Sequence, residues 1–428
     1  MIKVSKILKL FIFVAVFFLC DYVYIFAPAF MKQNALMIRF FVGLLGVVLA
    51  VLIRLAGDRI INDGKICELA DRYLVIYSAI LLFTMVTTIL KYRYTLNQTL
   101  FVLAPYLYIY YTYPLIYIYS RDKWEFAFVS KIARVILAML VIKTVCWTAH
   151  SFLGTTILED LTFQYENWSR NGIARMDGGC LLGLTFAYHW MQSYGERSKR
   201  NRVVAVLVLC FVIFVVQYRF QVIALCAAIF SCYWVSSSSK LQKRNKRILG
   251  ALAIVLFAVS GGASYMIDSF STEGNYGGST LVRLMTISHY WQLLIDNKAV
   301  LGLGLLNQGN VFCLEMMARI NEWGQSTWYY LSDIGILGGF YQFGLLSIPL
   351  YGSLFSYGWK AYKACLNTNN KNLYIFIVAL MSYAFFSNFA MNIFDIQRAF
   401  ALPFYLSIIS FSYGKCFENK TSALKARE

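Results

Sequence analysis

Long apolar runs separated by short polar connections dominate this chain of 428 residues. A helix that crosses a membrane needs about 20 mostly apolar residues, and runs of about that length recur from one end to the other. Continuous runs without two-residue alternation favour helices over strands, because backbone in lipid must satisfy its own hydrogen bonds. We predict about twelve transmembrane helices, near residues 7–29, 36–54, 73–90, 100–119, 132–152, 178–192, 203–216, 222–236, 248–266, 330–352, 373–388 and 399–413.

One long connection, residues 267–329, departs from the short loops found elsewhere. It contains several tryptophan and tyrosine residues, whereas disordered segments are poor in aromatic side chains. Apolar residues recur at helical spacing over 281–294, which predicts an amphipathic helix, and Gly302 with Gly304 predicts a turn. The fold class is therefore all-α: a polytopic integral membrane protein, one domain over 1–428, with a structured extracytoplasmic loop between the ninth and tenth spans.

The formal net charge of +18 follows the predicted topology. If the N-terminus is cytoplasmic, the inside connections and both termini hold 27 of the 39 Lys and Arg residues. Such an excess of basic residues in cytoplasmic loops orients membrane proteins. The charge therefore places both termini in the cytoplasm, and it argues against a nucleic-acid partner.

The ten cysteines and three histidines do not form a recognisable framework. Most cysteines fall within predicted spans, and only Cys313 falls in an outside loop. No CxxC or Cys/His spacing that is typical of a zinc site occurs. We therefore expect no disulfide across the outside face, no metal site and no cofactor.

Two arginines are the leading candidates for a binding site. Arg219 lies in a short polar break with Gln217 and Gln221, between two apolar runs on the predicted outer side. An arginine in this position is costly and is also disfavoured by the topology rule. Arg283 lies on the predicted amphipathic helix of the same side. The guanidinium fork suits phosphate. The alternative for Arg219 is an interfacial anchor, and the alternative for Arg283 is an exposed loop cation.

Further candidates lie in the remaining outside segments. His289 is a candidate catalytic group for proton transfer, and Trp291 either stacks on a sugar or belongs to an interfacial aromatic belt. Asp333 stands near the start of the tenth span, where it either caps the helix dipole or orients a cation or hydroxyl group. Arg398 ends a polar connection that we expect to form a wall of the outer cavity and to bind substrate.

Three linked segments resemble the O-antigen polymerase and ligase superfamily of bacterial envelope glycosyltransferases. The first is the outer-face arginine in residues 218–221 (Tyr-Arg-Phe-Gln). The second is Arg283, followed by Trp291 and by residues 299–304 (Ala-Val-Leu-Gly-Leu-Gly). The third is residues 332–338 (Ser-Asp-Ile-Gly-Ile-Leu-Gly), which enter the tenth span.

The resemblance implies glycan transfer from an undecaprenyl diphosphate donor at the outer face of the bacterial inner or cytoplasmic membrane. It implies that Arg219 and Arg283 bind the diphosphate and that no metal takes part. Ligases of the family carry a histidine shortly before the tenth span, whereas residues 324–328 here read Gly-Gln-Ser-Thr-Trp. This departure favours a polymerase that joins repeat units into O-antigen, capsular polysaccharide or exopolysaccharide.

The expected partners are the lipid-linked donor and acceptor glycans, membrane lipids and a chain-length regulator. The general base remains open among Glu315, Glu322, Asp333 and His289. A ligase of the same superfamily is one alternative function. A flippase for lipid-linked oligosaccharides is another, although such transporters often show an internal duplication, which is not evident here. A scaffold protein would not need the outer arginines.

The orientation can be tested by thiol labelling of intact cells, or of spheroplasts if an outer membrane is present. A cysteine introduced at Ser271 should react with a membrane-impermeant reagent, because residues 267–329 are predicted to lie outside. A cysteine at Ser238, in a predicted cytoplasmic connection, serves as the control and should not react. The reverse pattern of labelling would overturn the orientation and the outward-facing site with it.

Overall fold

The computed structural model describes most of the chain. The described residues are 4–20, 31, 33–56, 65–122, 126–158, 173–195, 198–236, 277–307, 309–320 and 326–425. The predicted ninth span, 248–266, and the proposed base Glu322 lie outside them.

The described chain is almost entirely helical. Its first part forms α1 (Val4–Leu19), α2 (Ala35–Leu55), α3 (Glu68–Tyr92), α4 (Leu96–Leu107), α5 (Thr112–Arg121), α6 (Ala127–Leu153), α7 (Leu182–Gly195), α8 (Lys199–Phe211) and α9 (Arg219–Val235). Its second part forms α10 (Gly277–Asp296), α11 (Val311–Met317), β1 (Ala318–Ile320), β2 (Ser326–Trp328), α12 (Ile336–Phe343), α13 (Ser347–Asn367), α14 (Lys371–Ser387) and α15 (Leu402–Lys425). The two short strands pair antiparallel, with Arg319 opposite Thr327.

Four helical segments in the described part of the chain are long and apolar enough to cross a membrane: Met37–Leu55, Glu68–Tyr92, Leu96–Arg121 and Ala127–Leu153. The third combines α4 and α5, which a 3-10 turn at Tyr108–Tyr111 joins. Arg219–Val235 and Lys371–Ser387 are shorter apolar helices. The prediction of a helical chain with membrane-spanning character is confirmed at this level.

Residues 330–352 were predicted as one continuous span, the tenth. In the structure, two separate helices, α12 and α13, cover this segment. The division occurs at Gly344, where φ is 56° and an added Cβ would lie 2.2 Å from the carbonyl oxygen of Val300. That carbonyl instead accepts a hydrogen bond of 3.0 Å from the Leu345 N–H. Residues 300–302 thus pass so close to the helix that it breaks, and it resumes as α13, which continues to Asn367.

Residues 297–310, which we call the strap, join three parts of the fold. The hydroxyls of Tyr92 and Tyr94, at the end of α3, each donate a 2.6 Å hydrogen bond to a strap carbonyl, at Leu303 and Leu305 respectively. On the other side, the Leu303 N–H donates to the carbonyl of Tyr341 in α12 at 2.8 Å. The strap therefore ties α3 to α12 and leads the chain from α10 to α11.

Packing in the second half of the chain places the ends of several helices around one region. Among the described helices, α9 pairs most extensively with α14, and α7 also packs on α14. The connection between α14 and α15, residues 388–401, therefore lies beside the start of α9. The predicted helix over 281–294 is confirmed as part of α10.

Gly302 should tolerate no side chain. Its φ is 91°, and an added Cβ would lie 2.2 Å from the Gln342 carbonyl oxygen. Gly302→Ala should therefore lower the free energy of unfolding by about 1–3 kcal/mol, measured as a lower Tm of the detergent-solubilised protein. Gly352→Ala in α13 is the matched control, because no atom lies within 4 Å of its added Cβ. Equal Tm values for the two variants would contradict this account of the strap.

Candidate functional site

Charged side chains from four separate segments act electrostatically on Tyr218. Its hydroxyl donates a 3.1 Å hydrogen bond to the carbonyl of Ala390. Burial raises the pKa of Tyr218; the guanidinium groups of Arg283, Arg398 and Arg175 oppose that rise, and Asp333 adds to it. The structure therefore brings Arg283, Asp333 and Arg398 into one electrostatic neighbourhood, which we call the Tyr218 cluster.

Local backbone geometry holds Tyr218 and Arg219 at the helix end. A π-helical turn, Val212–Val216, closes α8, and Gln217 follows in the left-handed region with a φ of 53°. Tyr218 is extended, and α9 begins at Arg219. Only Gln217 and Tyr218 separate the π-helical turn from α9, so Arg219 occupies the first turn of a helix, where unpaired backbone N–H groups already favour anions.

The two arginines predicted to bind phosphate both contribute to this end of the bundle. Arg219 is half-buried and is the immediate neighbour of Tyr218. Arg283 is half-buried, and its Nε is buried with no hydrogen-bond partner among the described residues. A buried donor without a partner is costly, and an anionic acceptor bound beside Arg283 would satisfy it.

Asp333 is the proposed base that the structure places within this cluster. It lies on the 3-10 turn Leu331–Ile334. Although Asp333 as a whole is exposed, desolvation of its carboxyl raises the pKa of the group, and Arg283 and the Ser332 hydroxyl oppose that rise. Glu315, another candidate base, is an exposed residue of α11.

His289 and Trp291 occupy other surroundings. The Nε2 of His289 is 2.6 Å from the carbonyl oxygen of Met316, so this nitrogen carries the proton and donates it. The imidazole also packs on the ring of Tyr329, with 4.6 Å between ring centroids. These contacts join His289 of α10 to Met316 in α11 and to Tyr329 after β2, while Trp291 is 53% exposed on α10.

Arg398 and Gln221, both predicted to bind substrate, form hydrogen bonds with protein groups in the structure. The Nη1 of Arg398 donates to the Gly179 carbonyl at 3.2 Å, and its Nη2 donates to Asp177 Oδ1 at 3.3 Å. Gln221 is fully buried. With its amide oxygen turned toward Arg398, this oxygen accepts from Nη1 at 3.0 Å and from Nη2 at 2.9 Å. The side chain of Gln217, in turn, donates to the Phe214 carbonyl at 3.1 Å.

Asp177 is a site residue that sequence reasoning missed. Burial by itself would raise the pKa of Asp177, but Arg398, Lys143 and backbone N–H groups outweigh this effect and lower it. Lys143, buried in α6, donates to the Asp177 carbonyl oxygen at 2.7 Å. A lysine inside an apolar run, together with Asp-Gly-Gly at the start of another, was the available signal.

Arg175 is a second residue that the sequence did not single out. Its Nε donates to the carbonyl of Val216 at 3.2 Å, next to the backbone bond of 3.1 Å from the Met176 N–H to the Val215 carbonyl. Loop 173–181 is thereby attached to the end of α8. The arrangement as a whole presents several guanidinium groups at one end of a helical bundle, together with two carboxyls, Asp333 and Asp395, whose pKa burial raises.

Anion binding is what this set of side chains supports chemically. Guanidinium groups favour phosphate and carboxylate over neutral ligands, and Asp333 supplies a proton acceptor beside them. Comparison of the chain with protein-family models and with curated protein sequences gives no significant match.

Proposed function

We propose that this protein is a membrane glycosyltransferase that polymerises oligosaccharide repeat units carried on undecaprenyl diphosphate. The observation that carries the proposal is the joint placement of Arg283 and Asp333 around Tyr218, beside Arg219. Polymerisation of a lipid diphosphate-linked glycan needs both functions, a cation for the leaving group and a base for the acceptor. The resemblance of segments 218–221, 299–304 and 332–338 to the O-antigen polymerase and ligase superfamily supports the same reaction.

The proposed topology has about twelve crossings, with both termini in the cytoplasm of a bacterium. In this topology the four long apolar helices each cross the membrane, and the shorter apolar segments form the remaining transmembrane helices. Ion pairs between Arg54 and Asp71 and between Lys9 and Asp122 fall at predicted cytoplasmic ends. The Tyr218 cluster then faces the outside, where lipid-linked repeat units are polymerised.

In the proposed reaction, the bond between the donor's anomeric carbon and the diphosphate oxygen breaks. The acceptor hydroxyl oxygen forms a new bond to that carbon, and its proton passes to the carboxylate of Asp333. Negative charge develops on the departing diphosphate, and Arg219 and Arg283 stabilise it by charge-assisted hydrogen bonds. The raised pKa of Asp333 suits this role, because a base is most effective when its pKa approaches the working pH.

Helix α10 is proposed to cover the reacting groups. It carries Arg283, and its Thr286 and Tyr290 are buried against the rest of the fold. The Tyr290 hydroxyl donates to the Tyr329 carbonyl at 2.9 Å, and the Tyr341 hydroxyl donates to the Ile287 carbonyl at 3.0 Å. A helix docked in this way excludes water from an activated donor and limits hydrolysis.

One assay separates the candidate functions. Purified protein is incubated with a lipid-linked repeat unit, with and without lipid A core as a second acceptor. Longer glycan supports the polymerase, whereas transfer to lipid A core would assign a ligase. Absence of chemistry, combined with movement of the lipid across vesicle bilayers, would assign a flippase.

Loss of either phosphate-binding arginine should reduce polymerisation by at least about tenfold, since a hydrogen bond to a charged group contributes about 1.5–3 kcal/mol. Arg219→Ala and Arg283→Ala test this directly. Arg219→Lys should also be impaired, because lysine keeps the charge but lacks the fork. Arg72→Ala, which removes an exposed arginine paired with Glu68, is the control and should polymerise normally. Full-length polymer from both alanine variants would show that the two arginines are only anchors.

Asp333 should set the acidic limb of the pH–rate profile. Its pKa is raised, so the carboxylate becomes protonated and the rate falls at a pH above the ordinary aspartate pKa of about 3.9. Asp333→Asn should abolish elongation across the whole pH range. Glu315→Gln is the matched control, because it removes an exposed carboxylate from α11 and should leave the profile unchanged. If Asp333→Asn is active and its pH–rate profile keeps the acidic limb of the wild type, Asp333 is not the base.

A further inference from the structure

We infer that Lys143, Asp177, Arg398 and Gln221 form a positioning network that holds Arg219 in place and does not itself bind the substrate. The inference rests on the proposed function, because it assigns these residues to the support of the same diphosphate site. We call the four residues the Arg398 network.

The guanidinium of Arg398 is already occupied by protein acceptors. Both of its Nη atoms face the Gln221 amide oxygen, at 3.0 and 2.9 Å, once that amide is oriented to accept. The Gly179 carbonyl and the Asp177 carboxylate take further hydrogen bonds, at 3.2 and 3.3 Å. The Arg398 side chain is only 13% exposed. A ligand phosphate would have to displace these acceptors, so the geometry favours a supporting role.

The connection 388–398 holds the segment that carries Arg219 on both sides. Before Arg219, the Tyr218 hydroxyl donates to the Ala390 carbonyl at 3.1 Å. After it, the buried Gln221 accepts hydrogen bonds from Arg398 at the end of the same connection. Arg219 therefore lies between two residues that are fixed to the same connection. Such contacts limit the movement of the first turn of α9. A bidentate phosphate contact requires this restriction, because the guanidinium must be held in one orientation.

Asp177 and Lys143 connect Arg398 to helix α6. Lys143 donates to the Asp177 backbone oxygen at 2.7 Å, and Trp147, one turn further along α6, donates to the Ala174 carbonyl at 2.8 Å. Loop 173–181 is therefore attached to α6 while its carboxylate neutralises Arg398. Removing one partner of a buried ion pair leaves an uncompensated charge, so loss of Asp177 would release Arg398 and, through it, Gln221.

Binding of inorganic pyrophosphate, measured by calorimetry on protein in phosphatidylcholine nanodiscs, tests the inference. Arg398→Lys, Asp177→Asn and Gln221→Leu should each weaken binding by about tenfold, as Arg219→Ala does. Combining any of them with Arg219→Ala should cause little further loss, because network residues act through Arg219. A residue that touched the phosphate itself would instead give an additive loss. Glu68→Gln, which breaks ion pairs with Lys65 and Arg72, is the control and should bind as the wild type does.

The possible results separate this inference from the proposed function. If the wild type binds and Arg219→Ala does not, but the network variants bind normally, the network is only structural and the inference fails alone. Additive losses in the double variants would make Arg398 a ligand and would also overturn it. If the wild type itself does not bind pyrophosphate, the proposed diphosphate site fails, and the inference fails with it. If Asp177→Asn does not fold, the other two variants, Arg398→Lys and Gln221→Leu, still test the inference, because both leave the Asp177 carboxylate in place.

Discussion

A guanidinium group can be buried only if a counter-charge and several hydrogen-bond acceptors surround it. The side chain of Arg398 is largely buried, so the fold must bring such groups to it. Its acceptors come from loop 173–181 and from the first turn of α9, while the arginine itself precedes the last helix. These segments must therefore meet at one place. The Tyr218 cluster lies beside that meeting point, because the Tyr218 hydroxyl donates to the Ala390 carbonyl in the connection that carries Arg398.

The strap is the second constraint on the site. Its contacts with α3 and α12 fix the end of α10 on one side and the break before α13 on the other. Because α10 carries Arg283 and the turn before α12 carries Asp333, the strap fixes the segments that hold these two charges. The segments of Arg283 and Asp333 thus depend on the strap, whereas the start of α9 depends on the contacts of Tyr218 and Gln221 with the connection before α15.

The local elements of the site could be predicted from the sequence, whereas the contacts between distant parts of the chain could not. Apolar periodicity over 281–294 was enough to predict the helix that carries Arg283, and Gly302 with Gly304 was enough to predict the turn that follows. Both are local signals. By contrast, the break at Gly344 depends on a strap carbonyl from Val300, and the pairing of Arg398 depends on Asp177. Such contacts join distant parts of the chain, so residue type and spacing do not reveal them. Gln221 and Arg398, both predicted to bind substrate, form hydrogen bonds to each other, and that long-range contact is another that the sequence does not reveal.

The sequence distances within the Arg398 network have a consequence for biogenesis. Arg398 binds Gly179 and Asp177, which precede it by 219 and 221 residues. During synthesis, Asp177, Gln221 and the turn that carries Arg219 are therefore complete well before Arg398 leaves the ribosome. Until then, the buried Gln221 amide and the Asp177 carboxylate lack the cation that pairs with them in the finished fold. The contacts of Arg398 can consequently form only after the connection before α15 has been made, which delays completion of the proposed anion site until the last helix is ready to insert.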